Sequence, residues 1–252
     1  MNLSIKNHIL HIDGKQVEYR PSPNHGSDLK NLQYLILHYT ATIGFNSPFY
    51  WLTDETSQVS AHLLIGRDGR IAQLLPFNKI GYHAGVSKWK GVIGLNPYSI
   101  GIEIVNAGIL AKKADGYYSA DGKIVEDYIQ ATNNIGLKAT WQKYTDEQLN
   151  VVKNISFFLK QHYNLKDILG HEDISPIRKS DPGPAFPWSI IDGSTKLTTT
   201  LVNVRVLAEI DAPKACPAIP ANTQINIILE GKEWDYIEVN GINGYINNKY
   251  LK

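Results

Sequence analysis

A chain of 252 residues, 43% hydrophobic and 19% charged, has the make-up of a soluble globular protein with room for one large domain or for a catalytic domain with a small companion. A formal net charge of +1, with lysine and arginine scattered along the chain, gives no electrostatic basis for binding nucleic acid or an anionic membrane. The single cysteine, Cys216, excludes an internal disulfide and a cysteine-rich metal site, and no stretch reaches the roughly 18 apolar residues that span a bilayer.

In chain order, the first twenty residues lack an apolar core, because His8, His11 and Asp13 interrupt them, so no secretion signal is expected. Tyr34–Tyr39 (YLILHY) reads as a buried strand that ends near His38, with Tyr34, Ile36 and His38 on one face. A helix is expected over residues 48–56, with Ser47 as N-cap and Pro48 at its first position. Residues 61–65 and 71–75 flank Gly66-Arg67-Asp68-Gly69 and predict a hairpin. Residues 99–105 (SIGIEIV) predict a strand with Ile100, Ile102 and Ile104 on one face and Glu103 on the other. From 106 to 144 the readable features are turn signals at Asp115-Gly116 and Asp121-Gly122 and a short helix near residues 126–133. Thr145 and Gln148 then form a capping box, and Leu149, Val152, Ser156, Leu159 and Tyr163 follow helical spacing. A short strand, Asp167–Gly170, comes next. Strands alternating with helices define an α/β domain with a mixed central sheet flanked by helices.

The segment HEDISPIRKSDPGPAFPW, residues 171–188, is too rich in proline and glycine for a regular element and predicts a stiff loop. Polar, threonine-rich residues 192–200 suggest a linker. Short β-branched runs follow at 201–206, 224–230, 235–239 and 244–246, punctuated by turns at Glu230-Gly231-Lys232 and Asn240-Gly241. The expected division is a catalytic domain over 1–192, a linker over 193–199 and a small all-β barrel over 200–252.

Catalytic zinc sites use three protein ligands and keep one position open. His38 at a strand end, with His171 and Asp181 in the stiff loop, supplies such a set, and Lys179 lies two residues before the aspartate. Glu103 adds a carboxylate between two isoleucines, costly to bury unless paired or functional. Alone, such a glutamate more often faces solvent from a half-exposed strand, and a lone histidine more often packs. The combination carries the argument.

That combination resembles the type 2 N-acetylmuramoyl-L-alanine amidases, the zinc family that includes phage lysins and peptidoglycan recognition proteins. The matching pieces are YLILHYTAT, SAHLLIGRDGRIAQLLP, GYHAG, SIGIEIVNAG and LGHEDISPIRKSDPGPAFPW, in the family's order from about residue 32 to 190. The resemblance implies Zn2+ held by His38, His171 and Asp181, with Glu103 and Lys179 as catalytic residues. It implies cleavage of the amide between N-acetylmuramic acid and L-alanine in peptidoglycan or muropeptides. His83 would line the substrate groove or support the fold, Asn106 would contact substrate, and His62 would support the fold or the site. Residues 198–252 resemble a bacterial SH3-like domain, a module that often tethers wall enzymes to peptidoglycan, with Trp234, Tyr236 and Tyr245 as surface or core aromatics. A recognition protein without catalysis and a zinc peptidase acting on wall peptides are the competing readings. Without a signal peptide, the expected location is the cytoplasm, or the wall by phage lysis or dedicated export.

Overall fold

Short strands of two to six residues, most of them rich in Leu and Ile, build the first unit around one sheet. The computed structural model describes residues 2–192, 195–229, 231, 233–240 and 242–252, and the chain divides into two compact units, residues 1–186 and 187–252. In the first, β1 (Glu18–Tyr19), β2 (Tyr34–Tyr39), β3 (Leu63–Ile65), β4 (Ile71–Gln73), β5 (Ser99–Ile104) and β6 (Asp167–Gly170) form a six-stranded sheet in the order β6-β2-β5-β3-β4-β1. The β3–β4 pair is antiparallel and every other neighbour is parallel, so the sheet is mixed. Register and alternation put Leu35, Leu37, Leu63, Ile65, Ile100, Ile102 and Ile104 on one face, all fully buried. The other face carries Tyr34, Ile36, His38, Leu64, Ala72 and Glu103.

Helix α1 (Asn46–Trp51) packs Phe49 and Leu52 against Leu64, Ala72 and Leu74. It is shorter than the helix expected over 48–56, and it starts behind Phe45 without a side-chain cap, so Ser47 lies inside it. The remainder forms a separate turn, Glu55–Ser57, because the Asp54 carboxylate accepts the Thr56 amide and starts a new cap. Helix α2 (Asp146–His162) opens with the expected capping box of Thr145 and Gln148 and buries Leu149, Val152, Ile155, Ser156 and Leu159.

Residues 106–144 form two hairpins, Ala111–Lys113 with Gly116–Tyr118 and Tyr128–Thr132 with Lys138–Gln142. The helix expected near 126–133 is therefore a strand. Its residues alternate between exposed and half-buried, and Trp141 Nε1 donates across the pair to the Ala131 carbonyl at 3.1 Å. Residues 171–188 also differ from expectation, opening with a four-residue helix α3 (His171–Ile174) before Pro176 can interfere. Nor did the sequence suggest the N-terminal three-stranded meander of Leu3–Lys6, Ile9–Ile12 and Lys15–Gln16. It is pinned by the buried Leu10, whose amide donates to Gln73 Oε1 at 2.7 Å.

In the second unit Thr195–Leu197, Gln224–Leu229, Trp234–Val239 and Ile242–Asn247 form a four-stranded antiparallel sheet in that order. Thr195–Leu197 lies in the stretch read as linker; its β-branched Thr195 suits a strand as well as a loop. Residues 201–206 make isolated bridges, Val202 to Ile219 and Arg205 to Lys214 and Tyr245, where a continuous strand was expected. Of the expected linker and turns, Gly193, Ser194, Glu230, Lys232 and Gly241 lie outside the described residues. Val202, Val204, Ile219, Ile225, Ile227, Ile237, Val239 and Ile246 make a core of this unit's own.

Candidate metal centre and active site

Three parallel strands, β2, β5 and β6, deliver their C-terminal ends to the same edge of the sheet, where open α/β sheets place their ligands. His38 is the next-to-last residue of β2 and pairs directly with Glu103 of β5. β6 ends at Gly170, and His171 starts α3 immediately beyond it. The following loop returns Asp181 to the same point, where its backbone carbonyl accepts the Glu172 amide at 2.8 Å.

His38 Nδ1 lies 2.9 Å from His171 Nδ1, and Asp181 Oδ2 lies 3.0 Å from each. All three side chains are buried, and they form a group able to hold a metal ion. His171 Nε2 is 3.1 Å from the Ala84 carbonyl, which can only accept, and Arg178 Nη2, 3.3 Å from the same nitrogen, gives its two protons to the Ala84 and Val86 carbonyls at 3.0 Å each, so Nε2 holds the ring proton and Nδ1 offers a lone pair. A lone pair and a carboxylate oxygen converging at 3.0 Å repel unless a cation sits between them. The donor set therefore fits a metal. Burial, opposed by the neighbouring Asp181 carboxylate, lowers the His38 pKa to about 4, which keeps this imidazole neutral at physiological pH. Burial alone would raise the Asp181 carboxyl, but the His171 and His38 rings against it outweigh burial and hold the group below the ordinary range.

The loop bearing Lys179 and Asp181 is clamped from three sides. Tyr39 Oη and Ser180 Oγ are 2.8 Å apart, and Tyr144 donates its hydroxyl proton to the Pro182 carbonyl at 2.8 Å. Beneath them Gly183 sits at φ +74°, and a Cβ there would come within 2.9 Å of the buried Trp141 ring. The second hairpin of residues 106–144 thus serves as the floor of the loop.

A cavity of about 370 Å3 opens over this edge and is lined by His38, His171, Asp181, Glu103, Lys179 and His83, with Trp51 and Tyr82 among the exposed aromatics at its wall. Glu103 Oε2 is buried and has no hydrogen-bond partner among the described residues. Burial first, then the Asp181 charge, pushes the Glu103 carboxyl well above the ordinary range, with Lys179 pulling the other way. A buried carboxyl poised upward beside a candidate metal centre is the electrostatic setting of a proton carrier.

The remaining histidines and Asn106 differ in kind. His62 Nε2 donates to the Lys79 carbonyl at 2.8 Å, and its Nδ1 accepts the Gly101 amide at 3.0 Å, which ties it to β5 as a neutral, fully satisfied ring. Burial lowers its pKa from 6.5 to about 4. The unfolded chain therefore binds the extra proton between those values, and stability present at pH 7 is lost as pH falls from about 6.5 through about 4. Urea titrations of the metal-free protein should show this slope, worth roughly 3 kcal/mol at most from His62, and His62→Gln should reduce it to the share left by groups such as His38, whose pKa burial lowers over the same window; equal slopes would remove His62 from the account.

Asn106, expected to contact substrate, is buried with its amide saturated. Nδ2 donates to the Gln142 and Lys143 carbonyls, and Oδ1 accepts the Gly108 amide at 2.8 Å. It ties the end of β5 to the hairpin floor and does not line the cavity. His83 does line it. Sequence reasoning missed Tyr39, Ser180, Tyr144 and Trp141: Tyr39 and Ser180 adjoin His38 and Asp181 in the chain, whereas Tyr144 and Trp141 lie far along the chain from any ligand and carry no local signal.

Fold and site together define an α/β protein with a candidate single-metal centre, flanked by a buried carboxyl and a lysine at the C-terminal edge of its parallel strands. The family model described as N-acetylmuramoyl-L-alanine amidase (Amidase_2) matches residues 28–184, and the chain belongs to that family. It is 35% identical over 164 residues to the N-acetylmuramoyl-L-alanine amidase AmiD of Escherichia coli (strain K12), covering 62% of this chain and 51% of that protein. It is 34% identical over 153 residues to the 1,6-anhydro-N-acetylmuramyl-L-alanine amidase AmpD of the same organism, covering 60% of this chain and 66% of that one. The matches thus span about half to two thirds of these relatives' lengths. Among solved structures, a selenomethionine derivative of AmpD superposes with a TM-score of 0.52 at 27% identity, covering 70% of this chain and 92% of that one. AmiD of E. coli in complex with anhydro-N-acetylmuramic acid-L-Ala-D-gamma-Glu-L-Lys superposes with a TM-score of 0.50 at 29% identity, covering 74% and 66%.

Proposed function

We propose that this chain is a zinc-dependent amidase that hydrolyses the bond between the lactyl group of N-acetylmuramic acid and L-alanine. The observation that carries the proposal is the unpartnered, buried Oε2 of Glu103 in the same cavity as the His38, His171 and Asp181 donors. Two imidazoles and one carboxylate suit zinc. Their three donor atoms lie 2.9–3.0 Å from one another, close enough that one ion would be held by all three. Bound zinc supplies Lewis acidity that polarises a carbonyl and brings the pKa of water towards about 7.

The chain's own residues do the rest. Glu103 takes a proton from the attacking water on its carboxylate and gives it to the leaving L-alanine nitrogen, a transfer suited to a carboxyl whose pKa is raised. Lys179 lines the same cavity and offers its ammonium to the oxyanion that forms as the amide carbon becomes tetrahedral. Lys179→Met should lower kcat by about 10²–10³-fold, near 3 kcal/mol of transition-state stabilisation. Single-turnover kinetics measure this, and a change confined to KM would assign Lys179 to binding alone.

The substrate reading follows the relatives. AmpD is named for the 1,6-anhydro sugar, and AmiD is seen with an anhydro-muramyl tripeptide, so small anhydro-muropeptides are the expected substrate and wall recycling the expected setting. The test is mass spectrometry of muropeptides and intact sacculi incubated with the protein, with chelator and with zinc restored. Release of stem peptides beginning with L-alanine, lost on chelation and regained with zinc, supports the amidase. Cleavage of sacculi as well shifts the setting to wall lysis. Binding with no cleavage leaves a recognition protein, and cleavage within glycan-free peptides leaves a peptidase.

The second unit, with its antiparallel sheet and separate core, supports an SH3-like module that holds the chain to wall material. Trp234 and Tyr250 share a cleft there with Arg205 and Lys249. Full-length Glu103→Gln should sediment with sacculi, and adding Trp234→Ala should release it; sedimentation unaffected by that change would move the contact elsewhere.

A further inference from the structure

The nitrogen of His38 that faces away from the donor cluster, Nε2, lies 3.0 Å from Nδ1 of His83. The rings meet edge to face, with centroids 5.1 Å apart and planes at 80°. One of these two nitrogens carries the proton and the other accepts it. The choice is made on the far side of His83, where Ser99 Oγ donates to the Leu95 carbonyl at 2.8 Å and lies 3.4 Å from His83 Nε2. A carbonyl can only accept, so the serine proton points to Leu95 and its lone pair faces His83. The consistent arrangement has His83 protonated on Nε2 and accepting on Nδ1, with His38 donating from Nε2. Every proton in the chain then points away from the donor cluster, and His38 presents a bare Nδ1 to it.

The backbone is shaped to seat this ring. A Cβ on Gly101, in the middle of β5, would fall 2.5 Å from His83 Cγ, so the central strand carries no side chain where the imidazole stands. The amides of His83 and Ala84 both donate to Asn96 Oδ1, at 3.2 and 2.7 Å, which fixes the segment that carries the ring. Ala84 is also the residue whose carbonyl accepts from His171 Nε2. One short segment therefore sets the tautomers of both histidines: residue 83 through its side chain, residue 84 through its backbone.

We propose that His83 is a positioning residue, which accepts the His38 Nε2 proton and so holds His38 in the tautomer and orientation that bind the metal. This rests on the reading of His38, His171 and Asp181 as the metal site. With both ring nitrogens engaged inside the protein, His83 has no free donor for substrate.

Zinc affinity, measured by chelator competition on the full chain, tests this, with cobalt absorption as a second readout. His83→Ala should weaken zinc binding by about 10–100-fold, the usual effect of losing an outer hydrogen-bond partner. His83→Asn, whose Oδ1 can stand where Nδ1 stood, should restore most of that loss, and circular dichroism of the metal-free proteins controls for folding. Wild-type affinity in His83→Ala, with only KM for muropeptide raised, would overturn the proposal and make His83 a groove residue. Equal weakening in His83→Ala and His83→Asn would also overturn it, since the accepting atom would not matter. If wild type and His171→Ala bind zinc alike, the metal site itself fails, a result distinct from either outcome at His83.

Discussion

Glu103→Gln should lower turnover by about 10²–10⁴-fold, the range spanned by a positioned general acid–base, while leaving metal content and fold intact. Glutamine preserves the volume between Ile102 and Ile104 but cannot carry a proton from water to a leaving amine. The buried Oε2 has no protein partner among the described residues, so exchanging it for an amide breaks no hydrogen bond seen here. Burial and the Asp181 charge raise the carboxyl in the wild type, and both penalties vanish in the neutral amide. The variant should therefore be at least as stable as the parent. Rates on a purified muropeptide, zinc content and a melting curve test the three statements together. Activity within a few-fold of wild type would show that Glu103 is not the proton carrier.

Asp181→Ala should remove stoichiometric zinc and, with it, all measurable cleavage. Asp181 Oδ2 is the only anionic donor of the cluster and touches both histidines at 3.0 Å. Without it, two neutral imidazoles would have to hold a divalent cation alone. A ligand that binds only the folded state stabilises it by about 2.7 kcal/mol at a hundred times its Kd, so zinc should raise the melting temperature of the parent and leave the variant unmoved. Full zinc occupancy in Asp181→Ala, seen by elemental analysis, would show that the metal sits elsewhere.

Much of this arrangement could be read from residue order, because the information was local. Alternation along YLILHY put His38 on a face with Tyr34 and Ile36, and along SIGIEIV it put Glu103 opposite the isoleucines; the parallel register joins the two faces and makes His38 and Glu103 direct neighbours. The Thr145–Gln148 box marked the start of α2 within one turn of chain. The loop after Gly170 drew notice for its prolines beside His171 and Asp181. Long-range relations were not legible. Trp141 has no local pattern that assigns it to the space under Gly183, and its hairpin has a composition that suits either regular element. His83 meets His38 across 45 residues, through a contact that only the folded sheet creates. Asn106 was misread because proximity to Glu103 in sequence suggested proximity to substrate, whereas beyond the strand end the chain turns inward and uses the amide for itself.

The direct pairing of His38 with Glu103 has a consequence for how such a protein can change. Hydrogen-bonded strands lie about 4.8 Å apart whatever their side chains, so the span between His38 and Glu103 belongs to the backbone ladder. The cavity wall around Trp51 and Tyr82 belongs to loops and a short helix that take no part in that ladder. On the proposed function, selectivity among substrates can therefore be re-cut at the rim with the His38–Glu103 spacing left standing, and designed libraries on this scaffold should vary the rim and leave the two strands alone.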